Sequence, residues 1–200
     1  MIAVGGNLSI EWLLLAYYNG IFPWYNDNEP ILWWCPQQRM VMELTDNDPG
    51  HGVYVSKTMR QFLRRHKYDI RLNSDFGQVM HQCATTPRGD HHGTWLDDEM
   101  QYAYMQLHRL GYAQSVEIYE GETLVGGLYG VDLEDAGIFV GESMFSHRPN
   151  VSKLALIVAA GMFQRKGYKW IDCQLPTNHL QSMGGKLLSR EDYLAHLIGT

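Results

Sequence analysis

Two hundred residues suffice for one ordinary domain or a medium domain with a small appendage. With 45% hydrophobic and 12% aromatic residues the chain can bury a core, which excludes disorder, and its net charge of −6 argues against a general nucleic-acid binder. No apolar run reaches the roughly 18 residues of a membrane span, and the opening MIAVGGNLS lacks the basic, apolar and small-residue succession of a secretion signal.

Ser9 is placed to open a short helix from Ile10 to Asn19, and Gly20 closes it. GIFPWY and ILWWCPQQR follow, and Pro23, Pro30 and Pro36 forbid long regular elements there. Further on, Lys57, Arg60, Arg64, Arg65 and Lys67 form a run of cations with no acid among them. On a helix turning about 100° per residue, Lys57, Arg60, Arg64 and Lys67 share one face, with Met59, Phe62 and Leu63 opposite. A docked helix would hold out a basic stripe, although an ordinary solvated face reads the same way. The pattern changes near Lys67, where a boundary is expected between a small N-terminal α/β domain, residues 1–67, and a larger domain, residues 68–200.

A strand over 68–72 leads to a helix over 75–84 capped by Ser74. A polar loop with Pro87, Gly89, His91 and His92 precedes a well-marked helix. Asp97, Asp98 and Glu99 lie in its first turn, Met100, Ala103, Tyr104 and Leu107 line one face, and His108 and Arg109 close it before Gly111. Strands are expected over 113–119, 123–131 and 137–145, the last two joined by the acidic turn 132–135. A helix over 151–166 ends at Gly167, a strand runs over 169–175, short pieces lie at 179–183 and 186–188, and a last helix starts at Arg190. The middle strands should be antiparallel and the later one should cross over through a helix. That order, βααβββαβαβ, is the order of the Gcn5-related N-acyltransferase superfold. The expected fold class is therefore α+β, a small N-terminal domain followed by a mixed sheet flanked by helices. Fold alone does not assign function.

Alternation in KWIDCQL sends Trp170, Asp172 and Gln174 to one side and Ile171, Cys173 and Leu175 to the other. Cys173 thus faces the apolar layer and reads as core filler rather than a nucleophile. Asp172 and Gln174 stand about 7 Å apart on one face, able to accept from and donate to one substrate. In IFVGESMF the same rule gives Ile138, Val140, Glu142 and Met144 a common side. A carboxylate among apolar neighbours is costly unless paired, so Glu142 meets an internal cation or waits for one on a ligand. Each acid can equally be a structural hydrogen-bonding group. Cys35, Cys83 and Cys173 are far apart with no CxxC, which fits reduced thiols in a cytosolic protein. None of the nine histidines has HxxxH or HExxH spacing, and His91 and His92 read as solvated.

In order and spacing, the runs GNL, AYYNGIFPWY, PILWWCPQQR, FGQV, GTW, VGGLYGV, GESMFS, NVSKLAL, IDCQ, HLQSMGG and SRED with YL are similar to the leucyl/phenylalanyl-tRNA–protein transferases. The resemblance extends from about Ala3 to Leu197, with WWCP where the family commonly has WWSP. It implies an enzyme that takes leucine, phenylalanine or sometimes methionine from its tRNA. The acceptor would be a protein beginning with Arg or Lys, which transfer marks for degradation in the bacterial N-end rule pathway. Leu128, Phe139, Met144, Leu156, Phe163 and Ile171 would then line the donor side-chain pocket. Tyr17, Trp24, Trp95 and Tyr104 would surround the terminal adenosine. Glu142, Asp172 and Gln174 would form the reaction centre, and the basic stripe would meet the tRNA stem. A cytoplasmic monomer without metal or cofactor is expected.

The chemistry of the residues agrees. An aminoacyl ester is already activated, and an α-amine with a pKa of about 7.7–8.0 is partly neutral at cell pH, so placement matters more than a strong base. Asp172 can orient Gln174 and attract the incoming amine, and Glu142 can hold an amino group or the acceptor's cation. The sequence does not divide these roles. An acyl-CoA-dependent N-acyltransferase would need a Gly-rich turn at a helix N-terminus after the fourth strand, where this chain has SHRPNVSK. A non-catalytic tRNA-binding module would explain the stripe and the aromatics, but not Glu142 and Asp172 beside an apolar pocket.

Overall fold

The computed structural model describes residues 1–26, 29–46, 48–65, 68–87 and 96–199. The chain opens with β1 (Ala3–Val4) and α1 (Ile10–Tyr18), whose first turn is capped by the Ser9 hydroxyl accepting the Trp12 N–H. β2 (Phe22–Pro23) and β3 (Leu32–Trp34) complete a small antiparallel sheet in the order β1-β3-β2. Pro23 is tolerated there because β2 is an edge strand.

β4 (Gln38–Glu43) is not foreseen from the sequence. Arg39, Met40, Val41 and Met42 are all buried, so the strand shows no alternation and its proline-rich approach reads as loop. It lies inside the 1–67 segment yet pairs on both sides within the large sheet.

α2 (Lys57–Arg65) starts on Ser56, whose hydroxyl accepts the Met59 N–H, and docks through Met59. Then come β5 (Asp69–Leu72) and α3 (Phe76–Thr85). Asp75, rather than the expected Ser74, caps α3, because the Ser74 hydroxyl is spent on the buried carboxylate of Glu117 at 3.1 Å. α4 (Asp98–Arg109) follows the expected design, with Asp97 accepting the Met100 N–H at 2.7 Å and acids in its first turn.

β6 (Ala113–Glu120), β7 (Thr123–Leu133) and β8 (Ile138–Ser146) form an antiparallel meander, and α5 (Val151–Arg165) crosses over to β9 (Trp170–Asp172). α6 (Asn178–Ser182), β10 (Lys186–Ser189) and α7 (Arg190–Ile198) end the chain. The resulting seven-stranded sheet runs β10-β4-β9-β8-β7-β6-β5, and among the described residues only its β8–β9 pair is parallel. Buried side chains of α2 and α5 pack on one face; those of α1, α3, α4 and α7 pack on the other. This mixed sheet between helices is the expected α+β fold. Among the described residues no helix is long and apolar enough to cross a membrane.

Two irregularities shape the centre of the sheet. The β8–β9 ladder ends with the pair Val140 and Asp172, beyond which β8 leaves β9 and runs on to Ser146 paired with β7. β9 stops short of the expected residue 175, and Gln174 turns out of the strand with φ 61°. The second is a bulge. Tyr129 pairs with Ser143 and Gly130 with Gly141, which leaves Glu142 as the extra residue on β8.

Candidate active site

The bulge decides where Glu142 points. Strict alternation would put Met144 beside it, but the extra residue resets the pleat. Met144 joins Phe139 on the α5 face, while Glu142 turns toward α1 and α4. There Tyr17 of α1 donates to Oε1 at 2.7 Å, Tyr104 of α4 donates to Oε2 at 3.1 Å, and the Gln174 amide donates to Oε1 at 2.9 Å. The two tyrosine hydroxyls also touch each other. Burial pushes the Glu142 carboxyl up to about 7; the tyrosine hydrogen bonds oppose the shift, and the nearby Asp172 charge adds to it. Burial and the Glu142 charge hold both tyrosines well above their ordinary pKa, so they remain donors.

Asp172 has a different environment. It is fully buried and its oxygens are occupied: Arg39 Nε reaches both at 2.9 Å, Arg39 Nη2 reaches Oδ2 at 2.6 Å, and the Tyr193 hydroxyl donates to Oδ2 at 2.7 Å. Oδ1 accepts the backbone N–H of Gln174 at 2.7 Å. Burial works against the Arg39 charge, but Asp172 outweighs it and the guanidinium pKa is raised. Asp172 thus meets Gln174 through the backbone N–H, and both of its oxygens are already taken up by described residues. The sequence reading misses Arg39 and Tyr193. The available signal was a lone cation inside the otherwise apolar run RMVM.

Where β8 and β9 part, a cavity of about 350 Å³ opens. Leu128, Phe139, Met144, Leu156 and Ile171 line it, as expected for an apolar pocket, and Glu142 stands in its wall. Phe163 lies behind Phe139, their rings stacked with centroids 4.2 Å apart, and supports the wall rather than forming it. Cys173 borders the cavity and packs with the α5 layer; burial, and after it Asp172, pushes its thiol pKa up, which leaves it a poor nucleophile. Thr177, His179 and Leu180 close the far side from α6 and the turn before it, a contribution with no periodic signal in the sequence.

The other expected site residues are less tightly grouped. Tyr17 and Tyr104 are buried with their hydroxyls on Glu142, whereas Trp24 keeps 43% of its surface exposed and packs against Trp34. Trp95 lies outside the described residues, as do Lys67, His91 and His92. Lys57, Arg60, Arg64 and Arg65 are exposed on α2, and none forms an ion pair with a described residue.

The model of the leucyl/phenylalanyl-tRNA protein transferase family matches residues 49–198, and the model of its N-terminal domain matches residues 6–37. Proteins named leucyl/phenylalanyl-tRNA–protein transferase are similar along nearly the whole chain. The one from Hydrogenovibrio crunogenus is 44% identical over 96% of this chain and 72% of its own length. Those from Syntrophus aciditrophicus and Cupriavidus metallidurans are 46% and 47% identical, each over 98% of this chain and 78% of its own length. Among solved structures, L-PGS from Bacillus licheniformis aligns with a TM-score of 0.42 and 12% identity, over 85% of this chain and 52% of that one.

Proposed function

The chain belongs to the leucyl/phenylalanyl-tRNA protein transferase family, and on that premise we propose that it moves leucine, phenylalanine or methionine from tRNA to an N-terminal Arg or Lys. It is a tRNA-dependent aminoacyltransferase. In the reaction the acceptor's α-amine nitrogen attacks the ester carbonyl carbon, a C–N bond forms, and the bond to the ribose oxygen breaks. The amine loses a proton and the leaving ribose oxygen takes one up.

The observation that carries the reading is a half-buried carboxylate in the wall of an apolar cavity, with its pKa held near neutrality. The cavity takes the donor side chain. Glu142, the carboxylate with open access, receives the acceptor's amine or its side-chain cation. Gln174, fixed by Asp172, holds Glu142 in place. Tyr17, Trp24, Trp95 and Tyr104 are assigned to the adenosine end of the donor. Labelling of proteins for the N-end rule pathway, a cytoplasmic location and a monomeric state belong to the same proposal. Charged leucyl-tRNA mixed with an Arg-started peptide should yield a Leu-Arg product; no product would overturn the reading.

Donor choice follows from the pocket walls. An apolar cavity separates side chains by size, with one methylene worth about 1–3 kcal/mol. Leucyl-, phenylalanyl- and methionyl-tRNA should all serve in that assay, whereas efficient transfer of arginine would remove the pocket assignment.

The stripe on α2 is proposed to meet the tRNA stem. Each phosphate neutralised contributes about 0.7–0.9 to the slope of log K against log salt. A variant lacking Lys57, Arg60 and Arg64 should bind tRNA more weakly with a flatter slope, equally for every tRNA, because backbone contacts carry no sequence information. Transfer from an aminoacyl-adenosine donor, which has no stem, should be unaffected. An unchanged slope would place the tRNA elsewhere.

A further inference from the structure

We propose that Arg39 is a positioning residue for the transfer reaction, a clamp that brings two separate arms of the chain to bear on the Glu142 carboxylate. One arm is the end of α1. Arg39 Nη1 donates to the Gly20 carbonyl at 3.0 Å, and the Gly20 N–H donates in turn to the Tyr17 carbonyl at 3.0 Å. The other arm is the exit of β9, where the same guanidinium grips Asp172, and Asp172 holds the backbone N–H of Gln174. Tyr17 and Gln174 then meet on one oxygen, Glu142 Oε1, at 2.7 and 2.9 Å.

A planar fork with donors at fixed angles can serve a carbonyl and a carboxylate together; the point charge of a lysine cannot. The guanidinium is 2% exposed and lies between the rings of Phe22 and Tyr193, 4.9 and 4.6 Å from their centroids. A buried ion pair is poor evidence for stability, since apolar replacement of both partners is often neutral. What this pair supplies is the geometry at the carboxylate. It also bears on that carboxylate's charge. The groups facing Glu142 are Tyr17 from α1, Tyr104 from α4, Asp172 from the adjacent β9, Arg39 from β4 beyond it, and His179 on the cavity's far side. Asp172 raises its pKa and Arg39 lowers it.

The inference rests on the reading of Glu142 as the group that receives the amine, and the test separates the two. Leucine transfer to an Arg-started peptide is measured for the wild type, Arg39→Lys, and the double variant Arg39→Met/Asp172→Leu. A wild type without transfer refutes the functional reading and leaves the Arg39 contacts standing as structure. With an active wild type, the double variant should melt within about 4 °C of it. Its kcat should fall roughly 10²-fold, as misplacement of reacting groups does, with the donor KM changed less than about threefold. Arg39→Lys should keep the acid limb of the pH–rate profile in place and still lose at least about tenfold in kcat, because it keeps the charge and loses the fork. A double variant with kcat within about twofold of wild type would make the pair a structural filler. If the double variant does not fold, Arg39→Lys decides alone, and full kcat there overturns the clamp.

Discussion

Glu142→Gln is expected to lower leucine transfer to an Arg-started peptide by about 10²–10⁴-fold, the range of losses when a positioned acid–base group is removed. The amide keeps the shape of the side chain and can still accept from Tyr17 or Tyr104, so the donor KM should change little. What disappears is the anion that attracts and desolvates a cationic amine at the edge of an apolar cavity. Loss confined to KM, with kcat intact, would move Glu142 from the reaction to donor binding.

The same variant has a pH signature whose sign is fixed. Burial raises the Glu142 pKa from 4.5 to about 7, and the acceptor's α-amine has a pKa of about 7.7–8.0. Transfer therefore needs two deprotonations, and the wild-type rate should climb steeply below neutrality; residual activity of Glu142→Gln should climb with the amine alone. Stability runs the other way. The unfolded chain gives up this proton near 4.5 and the folded one near 7, so the stability linked to it is full below 4.5 and is lost as pH rises through 7. Glu142→Gln, which cannot ionise, should melt with the wild type at about pH 4 and above it at about pH 8. Equal melting curves at both values would mean that the carboxyl titrates normally.

The site was partly legible in the sequence, and the boundary of that legibility is physical. A carboxylate inside GESMF is conspicuous because a charge in an apolar strand needs a reason, and the cavity walls Leu128, Phe139, Leu156 and Ile171 follow from the family resemblance. The face of Glu142 came out correctly relative to Ile138 and Val140 but wrongly relative to Met144. Alternation holds only while register holds, and the bulge breaks it between those residues. Arg39 was hidden for a related reason. Pro36 speaks against a regular element there, while the Arg39 partners Gly20, Asp172 and Tyr193 come from three distant segments that meet only in the folded sheet. The end of β9 was overestimated because an apolar run does not announce a left-handed turn at Gln174.

If the bulge is what aims Glu142, Gly130→Ala should be disproportionately harmful. Gly130 faces Gly141 across the β7–β8 ladder, next to the extra residue. A Cβ at Gly130 would lie 2.6 Å from the Phe139 ring and closer still to the carbonyl oxygen of Val140. The ring could move, although it is stacked on Phe163; the carbonyl belongs to the strand itself, so relief requires β8 to shift. Overpacking of this kind costs about 1–3 kcal/mol, and a shift of β8 near 1 Å would also carry Glu142 away from Tyr17 and Gln174. Transfer should fall roughly 10²-fold in protein that is still folded at the assay temperature. Gly77→Ala is the matching control: it lies in α3, where among the described residues a Cβ would meet just the Met105 sulfur at 3.8 Å, and it should leave transfer unchanged while stabilising its helix by about 0.5–1 kcal/mol. A folded Gly130→Ala protein with normal turnover would show that Glu142 reaches its place without help from the bulge, and the tyrosines and Gln174 would then have to hold it by themselves.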